Sequence, residues 1–309
     1  MTAISRRSFG ALAGLGALAA LAGCSSSDPL APAPAPGAST PVEGGTLVVG
    51  SQQYYSNEII AELYAQALEG AGYTVDRQFQ IGQREVYLPE LESGRIDVLP
   101  EYSGNLLQFY DKQTTARSAE EIAAALGGAL PEGLRVLKAA EASDQDSYNV
   151  TADLAAKHDL SALGDLAKLP QPVKIAANSE LSTRPYGPPG LKELYGVDAT
   201  VVPVEDSGGP LTLKALKDGA ADVANIYTAN PAIATEGLVT LDDPENLILP
   251  QNVIPLVGER VDDKAAAAID AVNAALSATD LQKLNARSVD EQLKSSQIAS
   301  EWLKEKGLA

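Results

Sequence analysis

Tyrosine is the side chain whose number and placement in this sequence most clearly suggest a chemical role. The 309 residues include 11 Tyr but only 3 Phe and 1 Trp. Tyrosines stand where strands are expected to end or where the chain is expected to cross between two lobes: Tyr54 or Tyr55, Tyr102, Tyr148, Tyr186 and Tyr227. Several rings around one point attract a cation that cannot donate hydrogen bonds, and each ring contributes about 0.5–2 kcal/mol when water is excluded. Any single tyrosine could equally be a core residue, but their shared location favours a site for a quaternary ammonium group.

A quaternary ammonium solute usually carries a second, polar end, and the sequence offers groups for it. We expect these groups to be the side chains of Asn57, Asn105 and Arg184 and the backbone N–H groups of Ser207, Gly208 and Gly209. Pro210 suits the first position of a helix, and glycines before a helix can present N–H groups to an anion. The same pattern is also typical of an ordinary tight turn.

Side chains for catalysis are scarce in this sequence. It has one histidine, His158, and one cysteine, Cys24. It has no HExxH, GxSxG or P-loop motif and no cluster of metal-ligand residues,. We therefore predict a protein that is not an enzyme, with no catalytic residue, cofactor or metal. A hydrolase that uses carboxylates of the cleft is the weaker alternative, because it lacks a nucleophile and base pair.

The elements that must position these residues include one unit that the chain repeats. Leu88–Ser103 recurs as Leu213–Thr228, with Tyr102 matched by Tyr227. Both copies predict a helix, a glycine that ends it and a short strand that finishes in tyrosine. In open α/β sheets ligands bind beyond the carboxyl ends of the strands, so two facing units would direct both tyrosines into one cleft. The alternative is a chance match of a common helix-to-strand turn.

The order of predicted strands and helices indicates two α/β lobes joined by two crossings. We assign residues 46–147 and 250–309 to the first lobe and 148–249 to the second. The first strand, 46–50, should lead into a helix capped by Ser56 or Asn57. Two C-terminal helices, near 262–276 and 279–305, should pack on the first lobe with Trp302 as a core anchor.

The N-terminus has the features of an export signal, assigned to residues 1–23. Arg6 and Arg7 precede an uncharged run that is too short to span a bilayer,. The segment 5–9 resembles the twin-arginine motif, although Gly10 and Ala11 depart from its usual continuation, so a general or a twin-arginine route is possible. Leu21-Ala22-Gly23-Cys24 resembles a bacterial lipobox, which implies cleavage before Cys24 and attachment of lipid to its sulfur.

Residues 24–45 are rich in Pro and Ala and predict an extended, lipidated linker. The whole chain has a formal charge of −18; without residues 1–23, 21 basic and 41 acidic residues give −20. This acidity argues against nucleic acid as a partner. The expected location is the extracytoplasmic face of the bacterial cell membrane, with the membrane as a partner through the lipid anchor.

Four segments resemble the osmoprotectant-binding proteins of ABC importers, which bind glycine betaine, carnitine or choline. They are the segments 50–60, 94–104, 184–196 and 221–233, and they occur in the order of the family. The resemblance extends over residues 46–307. It implies a type II periplasmic-binding-protein fold whose lobes close on a small molecule. It also implies an ABC permease and its ATPase as partners.

Carried over by position, the tyrosine cage of this family would be formed by Tyr102, Tyr148 and Tyr227. Asn57 would replace a glutamine of the family, and Asn105 would replace a threonine near the polar end of the ligand. The proline-rich loop around Tyr186 also differs from the version typical of betaine binders. Ligands such as ergothioneine or a non-cationic aromatic compound therefore stay open as alternatives, as does the less favoured role of a surface sensor.

Overall fold

Strands and helices alternate along residues 45–309, the part of the chain that the computed structural model describes. The strands of this part are β1 Thr46–Gly50, β2 Thr74–Gln78, β3 Val98–Tyr102, β4 Arg135–Val136, β5 Asp146–Thr151, β6 Val173–Ala177, β7 Ala199–Pro203, β8 Val223–Tyr227, β9 Leu238–Thr240 and β10 Val253–Val257. The predicted signal peptide, the lipidation site Cys24 and the linker up to residue 44 lie outside the described residues.

The helices lie on the connections between these strands and at the C-terminal end. The α-helices of the described part are α1 Tyr55–Gly70, α2 Arg84–Glu92, α3 Ser103–Tyr110, α4 Ala119–Ala129, α5 Ala152–His158, α6 Pro188–Tyr195, α7 Pro210–Lys217, α8 Ala232–Thr235, α9 Asp263–Ala275, α10 Ala278–Val289 and α11 Ser295–Lys306. Two 3₁₀ helices occupy Leu163–Lys168 and Ser179–Thr183.

The strands form two five-stranded sheets, in the orders β2-β1-β3-β10-β4 and β7-β6-β8-β5-β9. In each sheet three strands are parallel, and β10 or β5 joins them in the antiparallel sense. We call the first sheet with its helices (45–142 and 253–309) the first lobe and the second (146–247) the second lobe. The predicted α/β class with two sheets is confirmed.

Two segments, 143–145 and 248–252, connect the lobes and meet at an antiparallel bridge between Ser143 and Asn252. The predicted lobe boundary between residues 147 and 148 falls inside β5, all of which belongs to the second sheet. Strand pairing in β5 begins at Asp146, which lies opposite Tyr227 of β8. The exact limits of the lobes stay a prediction.

The repeated unit has the predicted secondary structure in both copies. Helix α2 is followed by Gly94, with φ +70°, and by β3, which ends at Tyr102. Helix α7 is followed by Gly219, with φ +73°, and by β8, which ends at Tyr227. Both glycines adopt the left-handed conformation that ends a helix at little steric cost.

An aspartate ties each copy of the unit to the neighbouring strand. The N–H of Asp97 donates to the carbonyl of Val48, and its carboxylate accepts the N–H of Val48 at 2.7 Å. Asp222 makes the same two bonds with Lys174, the second at 2.9 Å. The aspartate of each copy therefore fixes where the repeated strand lies beside its neighbour.

Helix α1 begins earlier than predicted. Tyr54 is its N-cap residue and makes no capping bond through its side chain. The predicted caps Ser56 and Asn57 lie inside the first turn, so that prediction is wrong. Their side chains are used elsewhere, because Ser56 donates to Asp144 at 2.9 Å and Asn57 donates to the carbonyl of Pro100 at 2.9 Å.

The C-terminal segment 279–305 is not one helix but two, α10 and α11. Gln292, between them, has φ +55°, a conformation that an α-helix cannot contain,. Helix α11 packs on α1, and Trp302 is only 4% exposed in the core of the first lobe. The prediction that Trp302 anchors this core is confirmed.

Candidate functional site

A cavity lies between the two lobes, at the carboxyl ends of β1, β3, β6 and β8. Its wall consists of Gln52, Tyr54, Gln83, Arg84, Tyr102, Asn105, Asp144, Asp146, Asn178, Glu180, Leu181, Arg184, Tyr186, Asn225 and Tyr227. The cavity is small, with a volume of about 30 Å³. The lobes are therefore closed over the cavity in this structure.

Three tyrosine rings meet at this cavity. Tyr54 comes directly before α1, and Tyr102 and Tyr227 end the two strands of the repeated unit. The ring centroid of Tyr54 is 6.4 Å from that of Tyr102, with 24° between the planes, and 5.0 Å from that of Tyr227, with 49°. Burial raises the pKa of all three phenols, so the rings are neutral at physiological pH,.

Three polar groups of the wall are buried without a hydrogen bond of acceptable geometry. They are the hydroxyl of Tyr102, Nε2 of Gln52 and Nε of Arg184. The side chains of Tyr54 and Asn57 lie near enough to the Tyr102 hydroxyl to influence its pKa. A buried polar group without a partner is costly, so all three groups are available to a ligand.

Asp144 is buried at the first crossing, with 5% of its surface exposed. Its carboxylate accepts the Ser56 hydroxyl at 2.9 Å, from the first lobe, and the Ala229 N–H at 2.9 Å, from the second. Burial raises the pKa of Asp144 to about 7, and the charge of Asp146 adds to the rise,. This carboxyl group therefore connects the lobes and titrates near neutral pH.

Asp146 lies two residues further on and is also buried, with 6% exposed. It accepts the side-chain amide of Asn105 at 2.9 Å. Asn105 in turn accepts from Gln251 Nε2 at 2.7 Å, so the second crossing belongs to the same network. Burial raises the pKa of Asp146, while the amides of Asn105 and Asn225 act in the opposite direction.

Each arginine of the cavity wall is paired with a glutamate. Arg84 forms two bonds with Glu101, at 3.0 and 2.8 Å, and Glu101 also accepts the Tyr87 hydroxyl at 2.5 Å. Arg184 of the second lobe forms two bonds with Glu85 of the first lobe, at 2.9 and 3.1 Å. The positive charge of both guanidiniums is therefore compensated within the protein.

Six of the residues predicted for the site line the cavity: Tyr54, Tyr102, Asn105, Arg184, Tyr186 and Tyr227. Tyr148 does not, because it is 1% exposed in the core of the second lobe and donates to the carbonyl of Tyr186 at 2.6 Å. Asn57 is fully buried, and its side-chain Oδ1 accepts the Gln52 N–H at 2.9 Å. It supports the loop that carries Gln52 but does not line the cavity itself.

The other predicted residues, Tyr55, Ser207, Gly208 and Gly209, line a neighbouring and larger cavity. At the predicted anion site 207–209, two of the three N–H groups already have partners within the protein. The Ser207 N–H donates to Asn178 Oδ1 at 3.0 Å, and the Gly209 N–H donates to the Asp206 carbonyl. The Asp206 carboxylate accepts the Leu211 N–H at 2.6 Å, so this helix start already holds an anion of the protein itself,.

Sequence reasoning missed the acidic part of the wall. Asp144 and Asp146 stand in a D-Q-D run that leads into β5, whose first residue is Asp146. Two carboxylates with a spacing of two, in a segment already predicted to cross between lobes, were a usable signal. The other missed wall residues are Gln52, Gln83, Arg84, Asn178, Glu180, Leu181 and Asn225. Within residues 45–309 no three His, Cys, Asp or Glu side chains are grouped as metal ligands would be.

The sequence profile described as the substrate-binding domain of the ABC-type glycine betaine transport system matches residues 45–305. This match covers almost all of the described chain, including both sheets and the cavity between them. The chain belongs to this family. The resemblance inferred from the four sequence segments is thereby confirmed.

The chain is similar to a glycine betaine-binding protein of Escherichia coli. The glycine betaine-binding protein YehZ of Escherichia coli K12 is 27% identical over 285 residues, which are 87% of this chain and 93% of YehZ. The solved structure of apo YehZ has a TM-score of 0.59 at 26% identity, with 85% of this chain and 99% of that chain covered.

More distant structures share the fold. A structure described as a glycine betaine/carnitine/choline ABC transporter has a TM-score of 0.66 at 20% identity, covering 85% of this chain and 98% of that chain. Lactococcal OpuAC, closed with glycine betaine, has a TM-score of 0.60 at 13% identity, covering 85% and 96%. The predicted type II periplasmic-binding-protein fold is confirmed.

Membership of this family makes the protein a substrate-binding protein of an ABC transport system of the glycine betaine class. Proteins of this family bind and deliver solutes and are not enzymes. Among residues 45–309 no helix is both long enough and apolar enough to cross a membrane.

Proposed function

We propose that the protein captures a quaternary ammonium solute in the cavity between its lobes. Glycine betaine, choline and carnitine are the candidate ligands. The observation that carries this proposal is the meeting of the Tyr54, Tyr102 and Tyr227 rings beside two buried carboxylates. Neutral aromatic faces attract a cation that cannot donate hydrogen bonds, and buried carboxylates add a negative potential.

The site combines residues from both lobes and from the first crossing. Tyr54 and Tyr102 come from the first lobe, Tyr227 from the second, and Asp144 from the first crossing. A ligand that touches all four stabilises the closed arrangement more than an open one. Since the cavity is small, the lobes must separate before a solute enters.

The cellular role we propose follows from the family and from the N-terminal sequence. The mature protein would be held on the extracytoplasmic face of the membrane by lipid on Cys24, and it would pass its ligand to an ABC permease driven by an ATPase. Replacement Cys24→Ser is expected to release the protein from the membrane fraction. Retention of the variant in that fraction would contradict the lipid anchor.

Calorimetric titration of the full-length protein with glycine betaine, choline, carnitine and ergothioneine tests the ligand class. We expect at least one quaternary ammonium compound to bind and to be recovered unchanged. Tyr227→Leu should weaken this binding, because it removes one ring of the cavity. Tyr110→Leu is the matched control, since Tyr110 lies on α3 outside the cavity wall and bonds Glu92. Equal losses in both variants would contradict the proposed site.

A further inference from the structure

We propose that the cavity selects a ligand of net positive charge, a quaternary ammonium alcohol such as choline, over a zwitterion such as glycine betaine. This inference rests on the proposed function and goes further, because both kinds of ligand carry the same trimethylammonium group. The selection depends on how the charges of the cavity wall are paired.

The positive charges of the wall are already compensated. Arg84 forms its two bonds with Glu101, and the side chain of Glu101 is fully buried. Arg184 directs two nitrogens to Glu85 and lies over the ring of Phe109 at 5.9 Å. A ligand carboxylate would therefore have to compete with a glutamate at either guanidinium.

The negative charges of the wall are not compensated in the same way. Asp144 accepts only a hydroxyl and a backbone N–H. Asp146 accepts the amide of Asn105; the charges of Arg84 and Arg184 lower its pKa, but burial raises it more. Neither carboxylate forms a salt bridge with a residue of the described chain. Glu180 adds a third carboxyl group to the wall. An ionised carboxylate buried without a cation is costly, which is why burial raises the pKa of Asp144 and Asp146,. A cationic ligand would favour the ionised forms and offset that cost.

The remaining donors suit a hydroxyl group as well as a carboxylate. Gln52 Nε2 and Arg184 Nε are buried without a hydrogen-bond partner, and either could donate to the oxygen of an alcohol. A hydroxyl can also donate to Asp144 or Asp146, which a ligand carboxylate cannot do. A ligand carboxylate in the same place would be repelled by both aspartates through a medium of low dielectric constant.

The test is a set of calorimetric titrations of the full-length protein with tetramethylammonium, choline and glycine betaine at one pH and ionic strength. Tetramethylammonium measures the affinity of the rings and carboxylates for the cation alone. We expect choline to bind at least about tenfold more tightly than glycine betaine, a difference of the size that one uncompensated charge produces. Glycine betaine binding as tightly as choline, or more tightly, would overturn the inference.

A variant attributes the selection to a residue. Asp146→Asn keeps the size of the side chain and its ability to accept from Asn105, but it removes one charge. We expect it to weaken choline binding about tenfold and to bring the choline-to-betaine ratio close to one. Asp76→Asn changes the net charge equally at the exposed strand β2, outside the cavity wall, and should leave the ratio unchanged.

The outcomes separate this inference from the proposed function. If tetramethylammonium binds but glycine betaine equals or exceeds choline, the proposed function stands and the selection for a cation is wrong. If none of the three compounds binds and carnitine does not bind either, both are wrong. Should Asp146→Asn fail to fold, Asp144→Asn provides the same test, and the ratio measured on the unaltered protein decides in either case.

Discussion

At the residue scale, Tyr102 shows how a side chain can serve a ligand instead of the fold. Its ring lies beside that of Tyr54, its exposed fraction is 3%, and its hydroxyl has no hydrogen-bond partner of acceptable geometry. Tyr148 is just as buried, but its hydroxyl is bonded to the Tyr186 carbonyl. The two tyrosines therefore differ in what their hydroxyl groups contribute to the folded state.

Substitutions at Tyr102 should separate the ring from the hydroxyl. Tyr102→Phe keeps the aromatic face and should hold the affinity for a quaternary ammonium ligand within about threefold. Tyr102→Leu removes the face and should weaken binding roughly fivefold to thirtyfold, which corresponds to one cation–π contact of about 1–2 kcal/mol. Calorimetric titration of both variants measures this, and similar affinities for Phe and Leu would contradict a cation–π role.

Asp144 should make the stability of the ligand-free protein depend on pH. Its pKa in the folded state is about 7, above the value near 3.9 in an unfolded chain. The protonated form is therefore favoured by folding, and this contribution is present below about pH 4 and is lost as the pH rises through 7. Asp146, whose pKa is also raised by burial, acts in the same direction, while the neighbouring tyrosines stay neutral.

Urea unfolding at pH 5 and pH 8 measures this effect. The free energy of unfolding should fall from pH 5 to pH 8 by less in Asp144→Asn than in the unaltered protein. Asp76→Asn, at an exposed position, should retain the full change. An identical fall in all three proteins would show that Asp144 does not carry a raised pKa.

The sequence identified six of the wall residues because strand ends and tyrosines can be recognised in it. It misplaced Tyr148 for a geometric reason. Tyr148 follows Asp146 by two residues on the same strand, so it shares a face with Asp146 but lies about 7 Å further into the sheet,. There the loop at Tyr186 covers it. The alternation of residues shows which face of a strand a side chain lies on. It does not show how far along the strand the cavity extends.

At the element scale, the repeated unit explains why two lobes of different sequence present tyrosines to one cavity. Helix, glycine, aspartate and strand recur in the same order, and the aspartate bonds the neighbouring strand in both copies. The unit was visible in the sequence because its residues are fixed by backbone geometry. The start of α1 and the break between α10 and α11 were not, because tertiary contacts of Ser56 and Asn57 and the conformation of Gln292 decide them.

Replacing Asp97 or Asp222 with alanine should destabilise the protein in both cases, but by different amounts. Asp97→Ala removes a buried acceptor that also holds Arg260 at 2.5 Å, and Asp222→Ala removes a more exposed one. We expect losses of about 2–3 kcal/mol and about 1 kcal/mol in the free energy of unfolding, measured in urea. Ligand affinity should change little in either variant. If Asp222→Ala lost more stability than Asp97→Ala, burial of the acceptor would not explain the difference between them.

At the scale of the whole molecule, several bonds cross between the lobes and hold the closed form. Arg184 bonds Glu85 on one side of the cavity, and Gln53 donates to Ser207 at 3.3 Å on the other. Half of the Glu85 side chain is exposed, so its bond with Arg184 contributes little when taken alone,. Its position between the lobes makes it a contact that opening must break.

Loss of this contact should show in the rate at which ligand leaves. Glu85→Gln is expected to raise the dissociation rate about twofold to fivefold, as expected of a partly exposed ion pair, with a smaller change in the association rate. Glu90→Gln is the matched control, because Glu90 lies on the same helix and pairs with Arg95 within the first lobe. Stopped-flow measurements of ligand dissociation from both variants test this expectation. Equal dissociation rates would contradict a role of Glu85 in closure.

The central claim is that the cavity between the lobes binds a quaternary ammonium ion through its charge. The most direct measurement is a calorimetric comparison of choline with its uncharged carbon isostere, in which a tert-butyl group replaces the trimethylammonium group. The two molecules share size and hydroxyl group, so only the charge differs. We predict that choline binds at least about tenfold more tightly. Equal affinities, or no binding of choline or any other quaternary ammonium compound, would contradict the claim.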